Sequence, residues 1–431
     1  GDFWTSRRSI FQVARRAQMI QKVAIIGAGI AGTTTAYSLA KNGIDVTLID
    51  SRRYPAMATS YANGGQLSAS NSEVWNTPKN IINGMKWMFK KDAPLLFNPS
   101  PSLEKYKWMV GFLAASFDGK HKTKTQETIE LAKRARELYY KISDEEGLEF
   151  DLLKKGILHF YDTQKELDFA AEKASWLDQE GMEWEVLDTD QVEDLEPAFK
   201  SSNNKKKLAG GIYTKSDASG DIHKFCKNMH KLLEDKYKVK SLFNTEIESI
   251  YKDKDKVILS AASDSETTGY HFDKVAICAG IDTQKFADSL GDKMRVYPVK
   301  GYSVTIHLDD EKSRKSAPQV SLLDDPKKIV SSRLGDRLRV AGTAELAGKN
   351  KDIRQDRIRP LLGWVREYFP DVSTENYTPW AGLRPMTPDM MPLVFESKAK
   401  GIFYNTGHGH LGWTLGAATG DLLAAKIINA D

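Results

Sequence analysis

The sequence predicts an α/β protein of two domains, one built on a parallel sheet and the other an α+β domain built on an antiparallel sheet. Three observations carry that prediction. A four-residue apolar strand, Val23 to Ile26, runs through a glycine turn into a helix and then a second strand ending before Asp50. Such β-α-β order imposes parallel pairing. Between Pro78 and about Tyr213 the texture changes to long charged helices with short strands at Gly156 to Tyr161 and Leu208 to Tyr213. Strand-like stretches then return, and Val296 to Ile306 and Arg337 to Thr343 suit an antiparallel sheet.

Composition sets the outer limits. At 431 residues the chain has room for two or three domains with sizeable cores. With 41% hydrophobic and 28% charged residues it is neither collagen-like, low-complexity nor wholly disordered. Sixty-two basic residues against 58 acids leave +4, too little to require a polyanionic partner, so no nucleic acid is expected. Two cysteines, Cys226 and Cys278, form no CxxC pair or Cys/His cluster, so neither a disulfide framework nor a metal site is expected. Gly401 to Gly420 lacks acids, lysine and arginine, but its six glycines and two histidines deny it the apolar density of a membrane span.

The elements follow in order. Residues 1–18 carry four arginines and one acid and precede Met19, which we read as the native start. That segment is an added leader, a basic surface arm or a transit-like peptide; it has no long apolar stretch for a secretory signal. Next, Gly27-x-Gly29-x-x-Gly32 sits between strand and helix, with Asp50 eighteen residues after the last glycine. Gly27 permits the tight turn, Gly29 lets backbone approach a pyrophosphate, and Gly32 lets the helix pack on the strand. The neighbouring Ala28, Ile30 and Ala31 complete that cradle, and its helix N-terminus favours an anion. Asp50, followed by Ser51, would accept hydrogen bonds from an adenosine ribose. An ordinary glycine turn is the alternative.

FAD and NAD share this fingerprint, and the remaining loops choose FAD. Ser60 to Leu67, with Asn63, Gly64, Gly65, Gln66 and Leu67 as candidate contacts, form a second small-residue loop suited to a flavin and its phosphates. Ile247 lies in the strand candidate Glu246 to Tyr251, and Val275 to Ile277 leads into Cys278, Ala279 and Gly280, where a cofactor could press on backbone. Near the C-terminus, Gly407, His408, Gly409, His410, Leu411 and Gly412 precede a terminal helix, expected over Asp421 to Ile428. A helix N-terminus there would stabilise negative charge at the flavin N1–C2 carbonyl. The predicted architecture is thus a Rossmann-like FAD-binding domain of residues 19–78, 218–295 and 395–431. Residues 79–217 and 296–394 form the substrate-binding domain.

Together these features resemble the FAD-dependent amino-acid oxidase and dehydrogenase superfamily, closest to bacterial D-amino-acid dehydrogenases of the small-subunit type. Specific to that subgroup are Ala62 to Ser68, Asn83 to Leu95, Tyr297 to Ser303, Ala341 to Glu345 and Trp380 to Asp389. The resemblance implies that Arg384 binds the substrate carboxylate, as a planar guanidinium fork does well. Tyr302 is a candidate pocket wall and His408 a candidate site residue. Hydride would pass from the amino-acid α-carbon to flavin N5, leaving a 2-oxo acid and ammonia after hydrolysis, with electrons going to a quinone-type acceptor. The alternatives are an oxygen-using oxidase of glycine, sarcosine or proline, and a non-catalytic flavin-binding electron-relay subunit.

One further signal concerns location. Residues 79–125 hold nine lysines and three acids interleaved with aromatic residues, a net +6, while the chain outside this segment and the leader is net −5. Lysines with aromatics suit an anionic membrane surface, and the expectation is peripheral association with the cytoplasmic side of a bacterial inner membrane. An ordinary solvated lid is the alternative.

Overall fold

The computed structural model describes residues 21–430 apart from 59, 61, 74, 88–94, 98–101, 176–180, 202–206 and 263–265. The 1–18 leader, Met19, and Phe89, Lys90 and Lys91 of the basic segment lie outside the described residues.

In chain order, β1 (Lys22–Ile26), α1 (Ile30–Lys41) and β2 (Asp45–Ile49) form the first unit. There follow β3 (Gln66–Leu67), α2 (Pro78–Trp87), β4 (Leu95–Phe97), α3 (Leu103–Ser116), α4 (His121–Glu146), β5 (Ile157–Tyr161), α5 (Gln164–Ala174), β6 (Glu185–Asp188), α6 (Thr189–Leu195), β7 (Gly210–Thr214) and β8 (Ala218–Ser219). The middle holds α7 (Ile222–Asp235), β9 (Lys240–Leu242), β10 (Ile247–Asp253), β11 (Lys256–Ala262), β12 (Thr267–Phe272), β13 (Lys274–Ile277) and α8 (Thr283–Leu290). Last come β14 (Tyr297–His307), α9 (Glu311–Ser316), β15 (Ser321–Asp324), β16 (Ile329–Leu334), β17 (Arg337–Leu346), α10 (Gln355–Tyr368), β18 (Tyr377–Met386), β19 (Leu393–Glu396), β20 (Ile402–Thr406) and α11 (Gly412–Asn429).

The first sheet runs β19-β20-β13-β1-β2-β9, parallel everywhere except at β19–β20. Its central strand is apolar because both faces are covered. Val23 and Ile25 enter a core with α1, α7 and α11, while Ala24 and Ile26 enter another with the β10–β11–β12 sheet and α8. The second sheet runs β18-β14-β17-β16-β15-β5-β7-β6, with β4 beside β17. It is antiparallel apart from β15–β5 and β17–β4, where strands distant in sequence are inserted without a hairpin.

Two helices differ from expectation. The sequence assigns α4 to the second domain, yet its Ala135, Tyr139 and Ile142 pack into the core of α1 and α11. The terminal helix starts at Gly412, nine residues before Asp421. Glycines hide it in the sequence, because glycine disfavours helix interiors, but here they serve packing. A Cβ at Gly416 would fall 2.7 Å from Ile30 Cγ1, and one at Gly420 2.5 Å from Thr34 Oγ1. Bare backbone lets α11 lie directly on α1.

Candidate active site

A cavity of about 970 Å³ is walled by residues of both sheets. One end is the β1–α1 turn. Gly27 has φ +109°, and a Cβ there would fall 2.2 Å from the Cys278 carbonyl oxygen; one at Gly32 would fall 1.6 Å from the Gly27 oxygen. These glycines bring α1 down onto the sheet so that Gly29, its N-cap, opens on the cavity with no capping side chain. The Ile30 N–H donates to Ser60 Oγ at 3.1 Å. Asp50 at the end of β2 accepts from Ala28 N–H and Arg52 N–H, 2.8 Å each, through different carboxylate oxygens. Each oxygen keeps a further lone pair for a hydroxyl. Ile30, Ala31, Asp50, Ser51 and Ile247 line this end.

Asn63, Gly64, Gly65 and Gln66 line the cavity along the second sheet. Asn63 Oδ1 accepts from Gly65 N–H, and Gln66 Nε2 donates to Ser321 Oγ and the Leu322 carbonyl. Opposite stand Cys278, Ala279 and Gly280. Burial pushes the Cys278 thiol up to about 12, so it is an unreactive wall group. Gly280, at φ +58°, has no atom of the described residues within 4 Å of its missing Cβ. The short turn Gly409–Leu411 then leads into α11, whose N-cap Leu411 makes no side-chain cap. His410, Leu411 and Gly412 face the cavity.

Four predicted residues lie behind the wall instead. Ala28 and Leu67 are buried in the core, Gly32 closes the α1–β1 contact, and Gly407 packs on Thr387, 2.6 Å from its missing Cβ. Their sequence neighbours line the cavity, whereas these four shape the backbone that holds them.

Arg384 is carried on β18 beside β14, with Val299 opposite it. Its guanidinium lies over Gly301, where a Cβ would sit 2.4 Å from Nη2. It lines the cavity, and among the described residues no carboxylate pairs with it. Burial lowers it to about 10, which leaves it charged at neutral pH. His410 stacks on Trp75, ring centroids 4.6 Å apart. Burial, helped by the Arg384 charge, lowers His410 to about 3, so the ring is neutral. Tyr302 contributes ring surface, but its hydroxyl donates to Glu345 Oε2 at 2.7 Å. His408 Nε2 is 2.8 Å from Thr419 Oγ1, and burial lowers the ring to about 4. Both residues line the cavity with these hydrogen bonds made. Thr343, in the left-handed region at φ +67°, marks a bulge in β17 that also lines the cavity.

Ser60 of the predicted small-residue loop and Phe112 of the basic aromatic segment line the wall too, and Trp75 and Gly301 are wall residues that the sequence did not single out. Only Gly301 carried a signal, a glycine inside a strand, which marks close approach of another group.

The wall suits a flavin dinucleotide. Two helix N-termini whose own N-cap residues supply no side-chain cap open on one cavity, with Ser60 Oγ taking only the first N–H of α1, and among the described residues the buried Asn405 Oδ1 on its wall has no hydrogen-bond donor. Residues 22–426 match the family described as FAD dependent oxidoreductase. The chain belongs to that family. This FAD-dependent oxidoreductase is 47% identical over 407 residues to D-amino acid dehydrogenase 3 of Mesorhizobium japonicum, covering 94% of this chain and 97% of that one. It is 38% identical to D-amino acid dehydrogenase of Paramagnetospirillum magneticum, covering 94% of each chain. Among solved structures it resembles glycine oxidase from Bacillus cereus, with a TM-score of 0.72 at 20% identity over 95% of each chain. L-Proline dehydrogenase from P. horikoshii gives 0.71 at 14% identity, over 95% of this chain and 93% of that one. At those identities the likeness concerns the fold.

Proposed function

We propose that this oxidoreductase deaminates D-amino acids oxidatively to 2-oxo acids and ammonia and passes the electrons to a quinone-type acceptor. The observation that carries the reading is Arg384: a half-buried, charged fork on the cavity wall with no carboxylate partner among the described residues. A charge partly withdrawn from water and left uncompensated is costly, and a carboxylate ligand removes that cost. The curated relatives named D-amino acid dehydrogenase support the substrate class and the choice of a dehydrogenase over an oxidase.

The β1–α1 turn, Asp50, the Asn63–Gln66 loop, Cys278–Gly280 and the start of α11 would hold FAD, which when bound would supply the hydride acceptor. The protein's own part is orientation. Arg384 fixes the carboxylate, and the stacked Trp75–His410 pair forms an adjoining wall that restricts the remaining substituents. Neutral His410 adds no positive charge that would repel an α-ammonium. Water then hydrolyses the released imino acid. Peripheral association with the cytoplasmic face of a bacterial inner membrane belongs to this reading, because a lipid-soluble quinone is met there.

Steady-state assays of the purified flavoenzyme with D-alanine test the acceptor. Turnover with a water-soluble quinone analogue, together with slow turnover under oxygen alone, is expected. Turnover with oxygen as fast as with the quinone would place the protein among the oxidases.

A further inference from the structure

The outward face of α3 is inverted relative to a water-facing helix. Leu103, Tyr106, Val110, Leu113 and Phe117 follow one another at alternating steps of three and four, which puts them on one stripe. All five are exposed, Leu103, Val110 and Phe117 by 70%, 65% and 64%. Ile82 and Met85 of the neighbouring α2 are exposed as well. The stripe does not hold α3 in place. Its inner face does that: Trp108 Nε1–H donates to the Met386 carbonyl at 2.9 Å, and Gly111 packs so tightly on Pro388 that a Cβ would come within 2.9 Å.

The surrounding charge selects the occupant. Lys79, Lys86, Lys107, Lys120 and Lys122 are exposed within a segment of net +6, on a chain whose remainder after the leader is net −5. A second copy docked through the same face would set two such segments against each other. An anionic lipid surface instead meets the lysines with opposite charge and takes the apolar stripe into its interface. Among the described residues no helix is long and apolar enough to cross a membrane. We propose that the outward stripe of α3, rimmed by these lysines, seats the protein peripherally on an anionic phospholipid bilayer.

The same two helices wall the cavity through Lys79 and Asn80 of α2 and Phe112 of α3. Docking therefore brings the cavity wall to the lipid, the source of a quinone-type acceptor. This last consequence rests on the proposed function; the docking surface itself does not.

The test is flotation of the full-length holoprotein with vesicles of phosphatidylcholine alone or with added phosphatidylglycerol. Wild type should float only with the anionic vesicles, and less so as salt rises. Val110→Asp/Leu113→Asp should lower the bound fraction at least tenfold, and Lys107→Glu should weaken binding by about fivefold or more. Both variants should keep wild-type flavin content and turnover with a soluble acceptor, which separates failure of docking from failure of the enzyme reading. Flotation of Val110→Asp/Leu113→Asp at the wild-type level, or absence of wild-type flotation, overturns the proposal. So does a wild-type dimer that this double variant converts to monomer, which would assign the stripe to a second copy.

Discussion

The guanidinium of Arg384 lies over Gly301 with no room for a side chain between them, since a Cβ at Gly301 would fall 2.4 Å from Nη2 and 2.5 Å from Cζ. The pairing of β14 with β18 sets this contact. It makes the position of the charge depend on a residue that carries no side chain of its own.

Gly301→Ala tests that dependence. The added methyl must displace the guanidinium, because the far end of a long side chain yields before the sheet does. We expect KM for a D-amino acid to rise about tenfold, with bound flavin retained, as a small misplacement of an orienting group produces. An unchanged KM would show that Arg384 accommodates the methyl without losing its position.

Asp50 organises the opposite end of the cavity by accepting from Ala28 and Arg52 N–H. Asp50→Ala removes both of those bonds and the acceptors for a ribose. FAD binding to the apoprotein should weaken roughly 10–100-fold, the range for losing hydrogen bonds to a charged group. Fluorescence titration of apoprotein with FAD measures it.

How much of this was legible in the sequence depends on distance along the chain. The β1–α1 turn and Asp50 could be read because their chemistry is local: glycine spacing and one acid within a single β-α-β unit. Arg384 stood out through resemblance, but its bed on Gly301 is a property of strand register. The Thr343 bulge and the Trp75–His410 stack arise the same way, from segments brought together only by folding. The N-terminal half of α11 was hidden because its glycines satisfy a packing demand from Ile30 and Thr34 at the expense of helix propensity.

Gly416→Val probes that demand. Even a Cβ would fall 2.7 Å from Ile30 Cγ1, and the branched side chain must push α11 away from α1. Overpacking of this kind costs about 1–3 kcal/mol. Urea unfolding should show the loss, and flavin content should fall with it because both helix N-termini line the cavity.

Acid stability follows from three histidines. Burial lowers His159 and His408 to about 4 and His410 to about 3, against an ordinary value of 6.5. Below pH 6.5 the unfolded chain binds protons that the folded chain refuses, so these groups cost stability progressively as pH falls to about 4. Tm should be level with respect to these groups above pH 7 and decline between 6.5 and 4. His408→Asn should make that decline shallower, and an equal slope would mean that His408 protonates without unfolding.

The most direct test of the account is anaerobic titration of the bound flavin with D- and L-alanine, in wild type and in Arg384→Leu. D-alanine should bleach the wild-type flavin while L-alanine should not. Arg384→Leu should require at least a hundredfold more D-alanine, the effect of removing one partner from a buried ion pair. Bleaching of Arg384→Leu at wild-type D-alanine concentrations would remove the carboxylate from Arg384, and a wild-type flavin that no amino acid bleaches would contradict the assigned chemistry.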